Sequence, residues 1–362
     1  GLAALQCRQC RGRCVPRRRI QFVNSRNRGT VELLTATLAK ATLGTLGVVT
    51  PRRLSILIYH RVHARPDSIF PHEPDARSFD QRMRFVARSF NVLTLGQAVG
   101  HLAADTLPPR ALVITFDDGY ADNAEVALPI LRRHGLTATF FVASGFIDGG
   151  RMWNDSVIEC LRATTESTLD LEVFGLGRLP VAEASDRRAA IEQLLPRIKY
   201  LQLAQREEAI ARLQAISEVT HLPPNLMMRA EQVRELHLAG MEIGAHTVRH
   251  PILASLTPGE AEIEIGESKR SLEAMLDAPV QVFAYPNGKP GQDYTAEHAR
   301  LVEQLGFRGA VTTARGVAQT GDDLFQLPRY TPWGNALPVW SMRLLTNRWH
   351  RDFQLAPSRQ NY

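Results

Sequence analysis

The chain has 362 residues, 44% of them apolar and 22% charged, which is the composition of a globular protein that buries a large core in one or two domains. Four cysteines, three of them within the first 14 residues, exclude a disulfide framework for the rest of the chain. The formal charge of +6 is equally uneven, because residues 1–30 hold eight arginines and no acid, which leaves −2 for the remainder. Nucleic-acid binding is therefore not expected of the folded body, and any such role is confined to the arginine-rich tail.

Residues 1–50 are predicted to be a basic, flexible segment followed by a peripheral helix. Cys7, Cys10 and Cys14 have the spacing of an incomplete metal site, but no fourth ligand is near, and a disordered tail is the favoured interpretation. Val31–Val49 is mildly apolar and is expected to pack on the body, with contact to a membrane surface as the alternative. No signal peptide or membrane-spanning run is evident, which favours a cytoplasmic or membrane-peripheral location; because the chain starts with Gly, a preceding targeting segment is not excluded.

Apolar runs of strand length alternate with helical patterns from Pro51 onward. Such runs predict buried strands, and segments with a 3.6-residue period that close in glycine predict helices. The strands predicted in this part are Leu54–His60, Asn91–Thr94, Ala111–Phe116 and Thr137–Ser144, and the helices are Ser78–Phe90, Gly96–Ala103 and Ala121–Gly135.

The alternation breaks between Ile147 and Met228. Ser185–Ser217 is charged and helical with an interruption at Pro196, which predicts a helical insertion covering about residues 150–228. After it, the predicted strands are Met241–Thr247, Val280–Pro286 and Gly309–Thr313, and the helices are Ala230–Gly240, Thr257–Leu276 and Thr295–Gly306.

About seven strand–helix units favour a closed or nearly closed α/β barrel over an open parallel sheet. The predicted barrel domain covers residues 51–340, and residues 341–362 are expected to be a C-terminal tail.

Polar residues that follow the predicted strands should meet at one mouth of such a barrel. Asp117 and Asp118 follow the Ala111–Phe116 strand, while His246 and His250 follow a later one and His60 ends the first. Two imidazoles and a carboxylate suit Zn²⁺ or another first-row divalent ion, and adjacent aspartates suggest one metal ligand and one general base.

Two neighbouring features refine this hypothesis. Gly119 permits a sharp turn after the aspartates, and the Tyr120 backbone N–H just beyond it is a candidate donor to a developing oxyanion. The histidine pair in "HTVRH" has no Glu between its members, so a zinc metalloprotease fits poorly.

"TFDDGY", "HTVRH" and "FAYPNG" together resemble the polysaccharide deacetylase family (carbohydrate esterase family 4), and the resemblance spans roughly Leu54–Pro332. It implies a deformed (β/α)7 barrel with a helical insertion. It also implies metal-dependent hydrolysis of N-acetyl groups on an amino-sugar polysaccharide or glycan precursor, with release of acetate. By position, Asp117 is then the catalytic base, and the ligands of a divalent metal are Asp118, His246 and His250. Zn²⁺ is the first choice of metal, with Co²⁺ and Mn²⁺ as alternatives.

The sequence departs from the family pattern at two places. Many members have an arginine in the third motif that orients the base; here Ala284 precedes "YPNG", as in the branch acting on exopolysaccharides, and Lys289 or Arg308 are the candidate substitutes. The last motif usually supplies a histidine as general acid, where this chain offers Arg329. His60 is the candidate acid, with a purely supporting role for its ring as the alternative.

Sugar binding calls for flat aromatic surfaces and hydroxyl acceptors. Trp153, Tyr285 and Trp333 are candidate platforms, with ordinary packing as the alternative for each. Asp155 and Asp293 are candidate hydroxyl acceptors, with a helix start and a loop turn as the respective alternatives. The rival function is a degenerate barrel that binds a glycan without catalysis.

Overall fold

The computed structural model describes residues 52–334 and 336–356. The predictions for residues 1–50, including the cysteine cluster and the peripheral helix, lie outside the described residues. In the ranges that are described, none of the helices combines the length and the hydropathy that a membrane span requires.

The strands are short, and most of them belong to one sheet. In chain order they are β1 (Arg53–Tyr59), β2 (Asn91–Leu93), β3 (Ala111–Phe116), β4 (Thr139–Val142), β5 (Thr168–Asp170), β6 (Arg178–Pro180), β7 (Glu242–Ala245), β8 (Val282–Ala284), β9 (Gly309–Arg315), β10 (Ala318–Gln319) and β11 (Leu327–Arg329). Every strand predicted from an apolar run is present, with ends that differ by at most two residues.

The helices lie between these strands and are mostly amphipathic. They are α1 (Ala76–Ser89), α2 (Leu95–Ala103), α3 (Leu128–Arg133), α4 (Trp153–Ala163), α5 (Ala184–Lys199), α6 (Leu203–Ile216), α7 (Ala230–Leu238), α8 (Pro258–Leu276), α9 (Ala296–Gln304) and α10 (Leu337–Asn347). A π-helical turn, Asn123–Ala127, leads into α3, and 3₁₀ turns occur at Ser144–Phe146, Glu172–Phe174 and Leu253–Ser255. Thr257 caps α8 and Pro258 occupies its first position, as predicted.

Seven parallel strands of the described chain form a barrel in the order β1-β3-β4-β7-β8-β9-β11. The barrel closes just after β11, where the Tyr330 N–H donates to the Ile56 carbonyl at 2.8 Å and the Ile58 N–H donates to the Tyr330 carbonyl at 3.3 Å. β2 pairs with the start of β3, and β10 lies antiparallel on β1. The predicted (β/α)7 barrel is confirmed.

The barrel strands are mostly apolar, and β1 and β3 are buried along nearly their whole length because both of their faces are covered. Alternate residues belong to two different clusters: Ile56 and Val113 lie in one, and Leu57 and Ile114 lie in the other, which includes the surrounding helices. Because the side chains within the strands are mostly buried in these two clusters, the polar residues at the strand ends are the ones that can reach the barrel mouth.

The insertion has its own hydrophobic core, formed by residues of α4, α5 and α6 together with the β5–β6 hairpin. The predicted helix break at Pro196 is wrong. α5 continues through Pro196 and ends at Lys199, and Tyr200–Gln202 connects it to α6. Leu194 and Ile198 on either side of the proline are fully buried in this core, which offsets the hydrogen bond that proline cannot donate.

Candidate active site

The turn after β3 separates the two adjacent aspartates. Asp117 and Asp118 are 3% and 5% exposed, and the Asp117 N–H donates to the Tyr59 carbonyl at 2.9 Å. Asp118 has a φ of 78°, which is unusual for a residue with a side chain, and Gly119 follows with a φ of 92°. A Cβ at Gly119 would lie 3.0 Å from a Val142 methyl group, so the turn requires glycine. The backbone thereby sends the two carboxylates in different directions.

Asp118, His246 and His250 form a compact buried cluster, although the histidines lie more than 120 positions further along the chain. Asp118 Oδ1 lies 3.4 Å from His246 Nε2 and 3.5 Å from His250 Nε2. The candidate ligand atoms of the three residues all lie within 4.8 Å of one another. Because the spacing is longer than a good hydrogen bond, these atoms surround a shared point more than they bind each other.

Hydrogen bonds hold the His246 ring and the backbone of the loop between the two histidines. His246 Nδ1 donates to the Ala284 carbonyl at 2.7 Å, which leaves Nε2 as the free nitrogen facing Asp118. The Thr247 hydroxyl donates to the His246 carbonyl at 2.6 Å and accepts from the His250 N–H at 3.1 Å. Glu264 accepts the next two backbone N–H groups, of Val248 and Arg249, at 2.9 Å each.

The electrostatics of the cluster fit a divalent cation. Burial lowers the pKa of His250 to about 3, so its ring is neutral at physiological pH, as a metal ligand must be. Burial raises the pKa of Asp118, but hydrogen bonding and charge from the histidines outweigh it and hold that pKa below its usual range. Burial also lowers the pKa of His246, but its contact with Asp118 and the charges of both aspartates outweigh burial and raise that pKa, so His246 must give up a proton when it binds a cation. Two imidazoles in their neutral form and one carboxylate are the open three-residue donor set of catalytic zinc sites.

Asp117 forms an ion pair with Arg329, the last residue of β11. Arg329 Nη1 lies 2.6 Å from Asp117 Oδ1, and Nη2 lies 2.7 Å from Oδ2. The guanidinium is held in turn by the Thr312 carbonyl at 2.8 Å and the Thr115 hydroxyl at 3.1 Å. Burial raises the pKa of Asp117, but the Arg329 charge outweighs that effect and keeps it below the usual range.

This pairing was missed in the sequence. From the sequence, Arg329 occupies the position of the family's general acid, and Lys289 and Arg308 are the candidates for orienting the base. The Arg308 side chain instead lies beside Gln281, at the start of β8 and far from the mouth. The strand-end position of Arg329 was the signal that could have placed it at the mouth.

Tyr120 lies at the edge of the site with its side chain buried. Tyr120 and Met227 lie opposite each other in an isolated antiparallel β-bridge. The hydrogen bonds of this bridge are made by flanking residues: the Ala121 N–H donates to the Leu226 carbonyl, and the Met228 N–H donates to the Gly119 carbonyl. The Tyr120 N–H takes no part in this pairing. The Tyr120 hydroxyl donates to Asp155 Oδ1 at 3.0 Å.

Asp155 is buried in the first turn of α4 and does not face open space. Its Oδ2 has no hydrogen-bond partner among the described residues, and burial raises its pKa to about 7. The sequence-based hypothesis that Asp155 binds sugar hydroxyls is not supported, because its side chain contacts Tyr120 and is only 2% exposed.

His60 is exposed just after β1, at the mouth of the barrel. It is close enough for a charge on its ring to act on Asp117, Asp118 and His250. It also lines a cleft that contains Trp333, which is 59% exposed.

The other candidate sugar contacts are occupied within the protein. Tyr285 is fully buried and stacks on Tyr294 at 3.9 Å. Asp293 is also fully buried and accepts the Lys289 N–H at 3.0 Å, which is the loop role. Trp153 packs against the insertion core with the Arg206 guanidinium 5.4 Å from its ring centre. Of the three aromatic candidates, Trp333 is the one with a free surface.

Comparison with known proteins places these observations in a family. The sequence profile described as "Polysaccharide deacetylase" matches residues 104–310. YxkH of Bacillus subtilis (strain 168), provisionally named a polysaccharide deacetylase, is 23% identical over 281 residues, covering 77% of this chain and 71% of YxkH.

Two solved structures share the fold. The deacetylase PplD of Streptococcus pyogenes, solved in complex with acetate, has a TM-score of 0.56 at 20% identity and covers 82% of this chain and 99% of its own. IcaB from Ammonifex degensii has a TM-score of 0.51 at 20% identity, with 81% of this chain and 96% of its own covered. At such identities the structures support the fold, and the family rests on the profile. Because the profile match spans more than half of the sequence, the chain belongs to the polysaccharide deacetylase family.

Proposed function

We propose that this protein is a metal-dependent deacetylase that hydrolyses the N-acetyl group of an amino sugar, such as N-acetylglucosamine, in an exopolysaccharide or glycan precursor. Membership of the family supports deacetylation of a glycan. The observation that carries the finer proposal is the pairing of Asp117 with Arg329 beside the separate Asp118–His246–His250 cluster. That arrangement provides an ionised base and a metal site side by side, and each has its own source of charge compensation.

The metal site is proposed to consist of Asp118, His246 and His250. Two nitrogen donors and one oxygen donor favour Zn²⁺, with Co²⁺ and Mn²⁺ as alternatives. A divalent cation supplies Lewis acidity, which polarises a carbonyl group and lowers the pKa of water.

Asp117 is proposed as the general base that removes a proton from the attacking water. Its carboxylate is buried and would be protonated without compensation, so Arg329 keeps it ionised and fixes its orientation. Asp117 can receive the proton because it does not belong to the metal cluster.

Attack on the acetyl group places a negative charge on its carbonyl oxygen, which requires a hydrogen-bond donor that is already in place. The Tyr120 N–H is proposed for that role, since it follows the Gly119 turn and is not used in the pairing with Met227. The Tyr120 ring is anchored by Asp155 and covered by the Arg61 guanidinium at 4.8 Å, which keeps this stretch of backbone rigid.

His60 is proposed to protonate the leaving amine or to orient the group that does so. The support is its place at the mouth, within electrostatic reach of Asp117 and the metal cluster. PplD, which shares the fold, was solved with acetate, the acid product expected from this reaction.

Acetate release from a panel of N-acetylated oligosaccharides, measured by mass spectrometry, tests the function. We expect loss of 42 mass units per cleaved acetyl from at least one member, with dependence on added divalent metal and a ~10²–10⁴-fold slower loss with Asp117→Asn. Binding of the same oligosaccharides without any acetate release would favour the rival, a barrel that binds a glycan without catalysis.

Peripheral membrane contact through Val31–Val49 is a separate proposal that rests on the apolar pattern of that segment. Cosedimentation with anionic vesicles should fall when residues 1–50 are deleted, and an unchanged bound fraction would refute this proposal. Deletion should leave turnover of soluble oligosaccharides intact, because the barrel is predicted to begin at residue 51.

A further inference from the structure

A cavity of about 130 Å³ lies where the insertion meets the barrel. One wall is the turn between α5 and α6, and the other is the segment that follows His250. We call it the Arg206 cavity, after its most buried basic residue. The lining residues that matter are Lys199, Tyr200, Arg206, Arg249, Glu260 and Glu264.

Arg206 is a buried cation for which the described residues provide no counter-ion. Its side chain is only 6% exposed, and among the described residues no acceptor lies within hydrogen-bond distance and no carboxylate within 4.0 Å. Burial lowers the pKa of Arg206, and the charge of Glu207 opposes that effect only in part. Within the described part of the chain, the guanidinium contacts the Trp153 ring, at 5.4 Å from its centre. A buried, unpaired charge is costly, so the site favours an anion from outside the chain.

The acids that line the cavity are already engaged. Glu264 accepts the backbone N–H groups of Val248 and Arg249 and the Arg249 Nε–H, all at 2.9 Å. Glu260 accepts both the N–H and the hydroxyl of Thr257, where it caps α8. Both oxygens of Glu264 are therefore engaged, whereas Glu260 uses one oxygen for Thr257, and neither carboxylate pairs with Arg206.

Lys199 adds a second, weakly compensated charge. Its ammonium lies 3.8 Å from Asp293 Oδ1, beyond hydrogen-bond distance. Asp293 already accepts from the Lys289 N–H at 3.0 Å and faces the Tyr200 hydroxyl at 3.4 Å. Burial lowers the pKa of Lys199 by more than Asp293 raises it. Two cations in one cavity are thus short of negative charge.

We propose that the Arg206 cavity is an oxyanion-binding subsite that holds a phosphate or carboxylate group of the substrate, with Arg206 as the main donor and Lys199 as the second. A guanidinium matches such an anion through two parallel N–H donors. The oxyanion belongs either to a phosphorylated carrier on the glycan or to an acidic sugar within it. Assignment to the substrate rests on the proposed function, whereas the existence of the anion site does not.

Titration with inorganic phosphate tests the site by itself. Phosphate at constant ionic strength, with chloride as the reference salt, should raise the melting temperature of the wild-type protein in a saturable way. Arg206→Met should weaken phosphate binding at least tenfold, and Arg206→Lys should retain part of it. Arg212→Met, a variant of an exposed arginine on the same helix that pairs with Glu208, should bind phosphate as the wild type does.

Two further results decide whether the interpretation holds. Without phosphate, Arg206→Met should melt at the same temperature as the wild type or higher, because it removes an uncompensated buried charge; a clear loss of stability would show that Arg206 has a structural partner and overturn the proposal. Binding that persists in Arg206→Met but disappears in His250→Ala would place the anion at the metal cluster and overturn it too.

Turnover then identifies the source of the oxyanion. We expect the kcat/KM ratio of anionic to neutral oligosaccharide to fall at least tenfold in Arg206→Met, for a diphosphate-bearing or a uronate-bearing substrate. A fall with the diphosphate alone assigns a carrier phosphate, and a fall with the uronate alone assigns an acidic sugar. An unchanged ratio for both would refute the assignment to the substrate. Absence of turnover with every substrate would contradict the proposed function while the phosphate titration still decides the anion site.

Discussion

Replacing Arg329 with methionine is expected to disable deacetylation by protonating Asp117, the proposed base. The substitution removes two charge-assisted bonds, of 2.6 and 2.7 Å, from a carboxylate that is 3% exposed. At an effective dielectric constant near 20, unit charges 4 Å apart attract by about 4 kcal/mol. Without that attraction, burial dominates and raises the pKa of Asp117, so the acid limb of the kcat/KM profile should move to higher pH.

The expected loss in kcat/KM at neutral pH is ~10²–10⁴-fold, the usual contribution of a general base. Folding stability should fall by about 3–5 kcal/mol, because an uncompensated carboxylate is left buried. Adding Asp117→Asn to this variant should recover part of that stability and none of the activity. Arg329→Lys should be intermediate, since lysine keeps the charge but lacks the two-pronged geometry.

Arg315→Met is the matched control, because Arg315 is the cross-strand partner of Arg329 on β9 but is exposed and contacts Asn347. It should retain near-wild-type turnover. The measurements are acetate release as a function of pH and denaturant unfolding of each variant. An Arg329→Met enzyme with near-normal turnover and an unshifted acid limb would refute the reasoning, whatever its stability.

Four other predictions follow from the same geometry. Asp117→Asn should retain bound metal while turnover falls ~10²–10⁴-fold, and metal analysis together with acetate release would show it. His250→Ala should lose metal and activity together, so full metal occupancy in the purified variant would contradict the ligand assignment. His60→Gln should retain metal but lose turnover ~10²-fold or more if His60 is the acid, whereas near-normal turnover would leave it a supporting residue. Asp155→Asn should be more stable than the wild type between pH 4 and pH 8 in metal-free buffer, by up to ~4 kcal/mol. The contribution of Asp155 to wild-type stability is full below its unfolded pKa of 3.8 and is lost as pH rises through its raised folded pKa of about 7. A difference in unfolding free energy between the two proteins that does not grow with pH would argue against this prediction.

The fold and the convergence of the candidate metal ligands were predictable because both depend on local pattern. Strands buried on both faces leave continuous apolar runs, and the residue after each run must emerge at the mouth. Asp118, His246 and His250 occupy such positions, so their convergence required only the strand boundaries and the parallel order.

Contacts that depend on barrel closure were not predictable in this way. Arg329 and Asp117 are 212 residues apart and meet only because β11 closes on β1 beside β3. Likewise, no local pattern distinguishes Trp333, which is exposed, from Tyr285, which stacks on Tyr294 in the core. Residue type indicates what a side chain can bind, whereas packing decides whether a ligand can reach it.

The charges explain how two adjacent aspartates remain ionised in a buried site. Asp117 is neutralised by its ion pair with Arg329. Asp118 faces two imidazoles, of which His250 is held neutral by burial and His246 has a pKa raised by the aspartates beside it, so a cation that binds there replaces the His246 proton and neutralises Asp118. A divalent cation would leave that side with a net positive charge, directed at an acetyl carbonyl, while the base stays anionic because its compensation is independent. If Arg329 were absent, both carboxylates would compete for the same cation, and the base would be protonated or would become a ligand. Arg329 at the end of β11 therefore allows the two aspartates to take the different roles proposed for them, Asp117 as base and Asp118 as metal ligand.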